Sequence, residues 1–295
     1  MNYEDHRETH PSVLAQQTMT RATAQQLIDL NTRFYQTHAA TFSATRSVPW
    51  EGWKRVVELI RTHAQNTIEQ DVRKQTPHGE QNSAVLPRCL RVLDLASGNL
   101  RFARYASAQL ADMQLKIHAI DNNPDLLSAT PPQPTWKLER RDILKDLMDD
   151  SSSLPTDTYD VAVCFGFMHH IPTRALRGAL IRELGHSLCE GGIALISFWQ
   201  FMDDERLAAK AKTAQAQTHA APPFPGFEHA ILEPGDHILG WMDLEGAWRY
   251  CHHTSEEELD QLTQELGNGL VELERFSSDG KSGHLNRYLV LQKRS

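Results

Sequence analysis

Short apolar runs separated by longer amphipathic stretches dominate the middle of the chain. Arg91-Val92-Leu93-Asp94-Leu95 is the first and ends at a turn containing Gly98. Lys116 to Ile120, Thr135 to Glu139, Tyr159 to Phe165 and Ile193 to Phe198 repeat the pattern, and helical segments lie between most of them, the clearest from Arg174 to Leu188. Strands that alternate with helices predict an α/β fold with a parallel sheet covered on both faces. The chain closes with a helical pattern over Ser255 to Leu266. Two strand-like runs follow, Leu270 to Phe276 and Arg287 to Gln292, the second after the turn Ser278-Asp279-Gly280.

The flanks read differently. Residues 1–22 are polar and read as a flexible tail. Residues 23–85 form an N-terminal helical cap and linker: Leu27, Leu30, Phe34 and Tyr35 make one apolar stripe, and Trp53, Val56, Val57 and Ile60 another. A break at 41–50 contains Pro49, and the polar stretch 66–85 reads as linker. The α/β domain then occupies 86–295, interrupted at 203–235 by an Ala-rich helical segment and the loop Pro222-Pro223-Phe224-Pro225-Gly226. That insertion reads either as a lid over the C-terminal edge of the sheet, where acceptor pockets form, or as a surface loop.

Composition narrows the class. With 295 residues, 40% hydrophobic and 23% charged, the chain fits a soluble globular protein of one large domain with additions. No apolar run approaches the ~20 residues of a membrane span, and Met1 to Thr20 has the features of neither a signal peptide nor an anchor. The four cysteines are far apart and form no C-x-x-C pair, which predicts reduced thiols and a cytoplasmic setting. A net charge of -8 argues against a surface that grips nucleic acid throughout, while the arginines in the middle of the chain leave room for a local basic patch.

Chemistry enters at the strand ends. Asp94 lies at the end of the first strand and Ala96-Ser97-Gly98-Asn99-Leu100 makes the turn. Asp121 ends the second strand 23 residues after Gly98, with Asn122 beside it. Strand, glycine turn, helix, strand and acidic residue is the recipe for holding a nucleoside, with the Asp121 carboxylate accepting from ribose hydroxyls. Asp142 and Ile143 follow the third strand, where a carboxylate can meet an adenine amine, and Phe165 ends the fourth. Singly, each feature reads as a helix cap or a turn; their order and spacing carry the site. A dinucleotide turn needs G-x-G-x-x-G to seat phosphates on a helix N-terminus. The single glycine here points instead to S-adenosylmethionine, which has no phosphate.

Asp160-Val161-Ala162-Val163-Cys164-Phe165 leading into Gly166-Phe167-Met168-His169-His170, with Leu188-Cys189-Glu190-Gly191-Gly192 before the fifth strand, resembles class I S-adenosylmethionine-dependent methyltransferases over residues 90–200. The resemblance implies a Rossmann-like fold with a mostly parallel seven-stranded sheet, helices on both faces and N-terminal helices. The family turn usually reads Gly-x-Gly-x-Gly. Ala96 and Leu100 replace two of those glycines, and Leu100 is expected to narrow the site. A finer resemblance spans 30–260. Phe42-Ser43-Ala44-Thr45-Arg46-Ser47-Val48-Pro49-Trp50, Ala194-Leu195-Ile196-Ser197-Phe198-Trp199, Arg249-Tyr250-Cys251-His252 and the His169-His170 pair are similar to the eukaryotic tRNA wobble-uridine carboxymethyl methyltransferases. That branch implies esterification of a carboxylate on a modified uridine and a small zinc-containing activating partner. Cys251 and Glu257 depart from its pattern.

A carboxylate acceptor is ionised at neutral pH and needs cations and donors to hold it; Arg46, Arg249 and Tyr250 suit that role. A hydroxyl or ring-nitrogen acceptor needs a base, for which His169 or His170 sits at the right strand end. Arg46 serves either the acceptor or the cofactor's own carboxylate. Tyr35 either closes over the cofactor or belongs to the core, and Trp50 and Trp53 read as core. The spacing of His169-His170 and His252-His253 is not that of a zinc motif, so no metal is expected. Three functions remain open: a methyltransferase acting on a carboxylate or oxygen of a tRNA wobble uridine, a small-molecule O-methyltransferase, and a non-catalytic binding module. The acceptor is tRNA or a small molecule, with no membrane partner.

Overall fold

The computed structural model describes residues 19–45, 48–75, 89–128, 130–151, 154–242 and 244–294. Strands β1 (Cys89–Leu95), β2 (Gln114–Asp121), β3 (Trp136–Arg140), β4 (Tyr159–Cys164) and β5 (Leu188–Trp199) are parallel. Helices α3 (Arg101–Gln109), α4 (Pro124–Ser128), α5 (Ile143–Met148) and α6 (Arg174–Ser187) connect them. Along these strands the side chains alternate between two apolar layers. Leu93 and Leu95 of β1, Ala162 and Cys164 of β4, and Ala194 and Ile196 of β5 enter one layer. Leu90 and Val92, Val161 and Val163, and Ile193 and Leu195 enter the other. That period of two is why the runs form strands with both faces buried.

The first layer is covered by α6, through Leu180, Ile181 and Leu184, and by α8 (Glu256–Glu265), through Leu259 and Leu262. The second is covered by α3 and by α2 (Trp53–Gln75), through Trp53, Val56, Val57 and Ile60. Each side chain of this size, fully buried, stabilises by roughly 1.5–3 kcal/mol. Helix α8 starts as Ser-x-x-Glu predicts: the Ser255 side chain accepts from Glu258 N–H, with three glutamates in the first turn. Helix α2 runs through the polar stretch after residue 66 to Gln75, which contains neither glycine nor proline.

Strands β8 (Leu270–Ser278) and β9 (Asn286–Lys293) complete an order β3-β2-β1-β4-β5-β9-β8, with β9 antiparallel to both neighbours. The order reverses between β1 and β4, which opens a crevice at the C-terminal edge. Above it sit α1 (Arg21–Ala44), α7 (Glu205–Ala220) and an antiparallel ribbon of β6 (Asp236–Gly240) and β7 (Trp248–His252). The ribbon was not legible as strands. Leu27 and Leu30 of α1, Phe224, Phe227, Ile238 and Tyr250 form a separate apolar cluster that fixes this superstructure. No helix among the described residues is long and apolar enough to cross a membrane.

Candidate active site

A cavity of about 940 Å³ occupies the crevice. At one end the chain leaves β1 through Ala96-Ser97-Gly98-Asn99-Leu100. Ala96, Gly98 and Leu100 have φ of 54°, 55° and 60°. Thus the alternate positions that glycine would fill keep the left-handed backbone although two carry side chains, at about 1–2 kcal/mol each. A Cβ on Gly98 would meet nothing within 4 Å, so its α-carbon faces open space. Leu100 points the other way. It is fully buried in the apolar layer with Phe102 and Ala103 and does not line the cavity. Its cost is backbone strain, and the expectation that it narrows the site is corrected.

Asp121 holds this loop in place. Gly98 N–H donates to its Oδ2 at 2.8 Å and Asn123 N–H to its Oδ1 at 2.9 Å. Burial pushes the Asp121 carboxyl up, and these backbone donors pull it back down. Asp94 is also buried, and its Oδ2 has no hydrogen-bond partner. Burial, reinforced by Asp121, pushes its pKa up to about 8. Among the described residues no cation pairs with either carboxylate. Ala96, Ser97, Asn122, Asp142, Ile143 and Phe165 share this end. Asp142 also caps α5, accepting from Lys145 N–H at 3.1 Å, and Phe165 packs edge-on against Phe102.

The other end has the opposite charge. Arg249 of β7 is 5% exposed yet lines the cavity. Phe34, Trp199 and Trp241 surround its guanidinium, with ring centroids at 5.6, 5.4 and 5.3 Å, and its Nε has no hydrogen-bond partner. Among the described residues no carboxylate pairs with it. Burial works against its charge, but the Cys251 thiol and the Tyr35 hydroxyl shift it upward. His169 and His170 sit in a short 3-10 turn after β4, both buried and both on the cavity wall. Tyr35, half-buried on α1, meets His170 Nε2 at 2.8 Å.

One expected residue is placed differently. Tyr250 does not line the cavity; its hydroxyl donates to Asp236 at 2.6 Å within a largely buried network. There His252 bridges Asp236 and Glu258, and Glu258 pairs with Arg177. Arg46 lies outside the described residues. His169, His170 and Cys251 offer ligand atoms within 4.8 Å of one another. However, both His170 nitrogens are engaged, by Asn31 and Tyr35, burial raises the Cys251 thiol to about 11, and the Arg249 cation is adjacent. A dication is poorly matched to those neighbours.

Sequence reading did not single out Asn31, Trp199, Trp241, Arg206 or Lys210 as site residues. Arg206 and Lys210 lie one turn apart on α7 and line the cavity with Leu207 between them. Their i, i+4 spacing was the available signal, since it places both on one helix face.

A family model described as a methyltransferase domain matches residues 60–273. No curated protein matches the chain. Among solved structures, a methyltransferase dependent on S-adenosylmethionine from Methanosarcina mazei superposes with a TM-score of 0.51 at 16% identity, covering 71% of this chain and 94% of that one. One from Mesorhizobium loti gives 0.48 at 17% identity, covering 70% and 92%. The N-methyltransferase NodS of Bradyrhizobium japonicum, solved with S-adenosyl-L-homocysteine, gives 0.43 at 12% identity, covering 79% and 88%. At these identities the first likeness speaks for the fold alone.

Proposed function

Because the chain belongs to the methyltransferase-domain family and uses S-adenosylmethionine, we propose that its acceptor is a carboxylate, held by Arg249 and converted to a methyl ester. Family membership removes the binding-module alternative. Bound S-adenosylmethionine supplies a methyl group on a sulfonium, so a carboxylate acceptor reaches its ester without a base or a proton transfer. The wall fits that cofactor: the Asp121 carboxylate and the orphaned Asp94 oxygen, which gains negative charge on releasing its proton, suit a cationic molecule, and Gly98 leaves open space beside them. In this reading Asp121 keeps lone pairs for ribose hydroxyls while holding the loop, and Asp142 and Ile143 meet the adenine. Ala96, Ser97, Asn122 and Phe165 line the remainder, and Tyr35 closes over it from α1.

The observation that carries the acceptor class is the buried Arg249, which has no carboxylate partner among the described residues. A desolvated guanidinium gains most from a planar carboxylate that it can grip in bidentate fashion. The aromatic rings around it exclude water and position the acceptor, an effect worth up to ~7–11 kcal/mol of a barrier. His169 orients the acceptor from the strand end. Within this class we favour a carboxymethyl group on a tRNA wobble uridine, on the sequence resemblance and on the exposed Arg206 and Lys210 at the mouth. The compact aromatic box around Arg249 favours the second reading, a small carboxylic acid.

The test is transfer of labelled methyl from S-adenosylmethionine to tRNA lacking the ester, in parallel with a panel of small carboxylic acids and hydroxylated analogues. Base-labile methyl on tRNA supports the first reading, and on a small acid the second. Transfer only to hydroxyl or amine acceptors would overturn the carboxylate class. The purified chain is assayed alone and with a small zinc-containing protein of the kind that the resembled branch uses.

A further inference from the structure

Of the segment Arg249-Tyr250-Cys251-His252, only Arg249 lines the cavity. Side chains alternate along β7, so Tyr250 and His252 face the other way, into a network that runs from the ribbon to the sheet domain. The Tyr250 hydroxyl donates to Asp236 Oδ1 at 2.6 Å. His252 meets the same oxygen through Nδ1 at 2.7 Å and Glu258 Oε2 through Nε2 at 2.6 Å. The other oxygen of Glu258, on α8, accepts from Nε and Nη2 of Arg177 at 2.8 and 2.6 Å. Arg177, on α6, is 1% exposed, and its Nη1 donates to the Ile171 carbonyl at 2.9 Å. Ile171 directly follows His170. One guanidinium thus joins the ribbon that carries Arg249 to the turn that carries His169 and His170. The backbone of β7 is fixed as well. Tyr250 N–H donates to Asn31 Oδ1 at 2.8 Å and Asn31 Nδ2 to the Tyr250 carbonyl at 3.1 Å, so an amide of α1 stands where a further strand would pair.

The charges in this network follow from which groups can donate. A carboxylate only accepts. A neutral imidazole has one N–H, and its bare nitrogen would face a carboxylate oxygen at 2.6 or 2.7 Å, lone pair against lone pair and away from water. With a proton on each nitrogen both bonds are charge-assisted, and two cations, Arg177 and His252, balance two anions, Asp236 and Glu258. Burial works to raise the Glu258 carboxyl, but His252 and Arg177 outweigh it and hold it below its ordinary value. Burial and then Asp236 push the nearby Glu233 carboxyl up, and it stands 4.0 Å from Arg177. Gly235 lets the chain pass this close to the ring: at its φ of 90°, a Cβ would lie 2.9 Å from His252 Cε1 and 2.6 Å from the His253 carbonyl oxygen. We infer that Arg177, Glu258 and His252 are positioning residues that hold the ribbon carrying Arg249 in register with the turn carrying His169 and His170, with His252 as an imidazolium clamped between two carboxylates. None of the three lines the cavity, so they act through the elements they join. The role of Arg249 rests on the carboxylate reading; the charge on His252 does not.

His252 is read first, without cofactor or acceptor, by long-range proton–nitrogen NMR on uniformly ¹⁵N-labelled protein at neutral pH. His252→Gln assigns the ring by loss of its signals, or Tyr250→Phe by their displacement. The expected result is a pyrrole-type shift on both ring nitrogens, and a pyridine-type shift on either overturns the clamp. Glu258→Gln then removes one of the two anions. It should lower kcat, on the acceptor that the methyl-transfer panel identifies, by on the order of 10- to 10²-fold, the scale of a remote misplacement of about an ångström. S-adenosylmethionine affinity should stay within twofold by calorimetry. A merely structural role would loosen both ends of the cavity, so a parallel loss of cofactor affinity overturns the positioning role, as does an unchanged kcat. Where Glu258→Gln fails to fold, Tyr250→Phe, which deletes a single hydroxyl, decides on the same split with a loss of about threefold. An imidazolium and a selective fall in kcat on an acceptor that is not a carboxylate would refute the acceptor class alone; a neutral ring refutes the clamp whatever the acceptor.

Discussion

The two ends of the cavity are mirror images in charge and different in construction. At the cofactor end, two buried acids, Asp94 and Asp121, sit on parallel strand ends, and no cation among the described residues pairs with them. At the acceptor end, one buried guanidinium, Arg249, sits on an accessory ribbon, and no carboxylate among the described residues pairs with it. Either arrangement costs stability in the empty protein: the guanidinium loses its hydration without gaining a carboxylate, and Asp94 avoids the same loss by holding a proton up to about pH 8. Placed together, they are complementary to a cationic cofactor and an anionic acceptor. The charges are kept apart because pairing them with each other would satisfy the protein and leave nothing for its ligands.

The sharpest way to break that comparison is Arg249→Met. Loss of the cation should reduce kcat/KM on a carboxylate acceptor by on the order of 10²- to 10³-fold, within the roughly 2–5 kcal/mol that follows loss of a buried charge partner. S-adenosylmethionine affinity should stay within twofold by calorimetry. The melting temperature should hold or rise, since an uncompensated charge has been removed; a fall of many degrees would make the guanidinium structural. Asp121→Ala comes next. It removes the proposed ribose acceptor and leaves Gly98 N–H and Asn123 N–H without theirs, at about 1–3 kcal/mol each. Cofactor affinity should drop more than tenfold and the melting temperature by several degrees. Unchanged affinity would move the cofactor elsewhere.

Asp94→Asn tests the other orphan and carries a pH signature. The folded wild type holds a proton on Asp94 up to about pH 8, whereas the unfolded chain releases it near pH 4. Between those values the folded state binds more protons, so its stability from this group falls as pH rises. The melting temperature of Asp94→Asn relative to wild type should therefore climb from about pH 4 to about pH 8. Cofactor affinity should weaken about tenfold. In the wild type at pH 7, binding should release a proton, read as a binding enthalpy that varies with the ionisation heat of the buffer; identical heats in all buffers would show that Asp94 stays protonated. Ala96→Gly has the smallest effect. Relief of left-handed strain, about 1–2 kcal/mol, offsets the flexibility cost of glycine, about 0.5–1 kcal/mol. The melting temperature should rise by about 2 °C with cofactor affinity unchanged.

The cofactor end was legible in sequence because a parallel strand announces itself twice, through its apolar run and through the turn that ends it. Asp94, Gly98 and Asp121 fall at those turns, so chain order alone assembled them. The acceptor end has no such grammar. Arg249 and Tyr250 are neighbours in one motif, and side chains alternate along a strand, so only one of them can face the cavity. The five-residue partner strand containing Gly240 was too short to show which. Asn31 is a polar residue in an amphipathic helix, a pattern that reads as a solvent face; the ribbon that covers α1 is what buries it. Leu100 was misread for the converse reason: a residue at a glycine position was taken to point where a glycine would leave space, whereas its left-handed backbone turns the side chain into the core.

One helix belongs to both ends. Asn31 and Tyr35 of α1 face the acceptor pocket, and the Tyr35 carbonyl accepts from Asn123 Nδ2 at 3.4 Å, on the loop that Asp121 anchors. The two ligands therefore share a wall. Any displacement of α1 that one of them favours changes the affinity for the other by the same factor, because such coupling is reciprocal. On the proposed reading, an acceptor that seats Tyr35 should tighten cofactor binding, and bound cofactor should tighten acceptor binding by the same factor: a single helix makes each ligand a condition of the other.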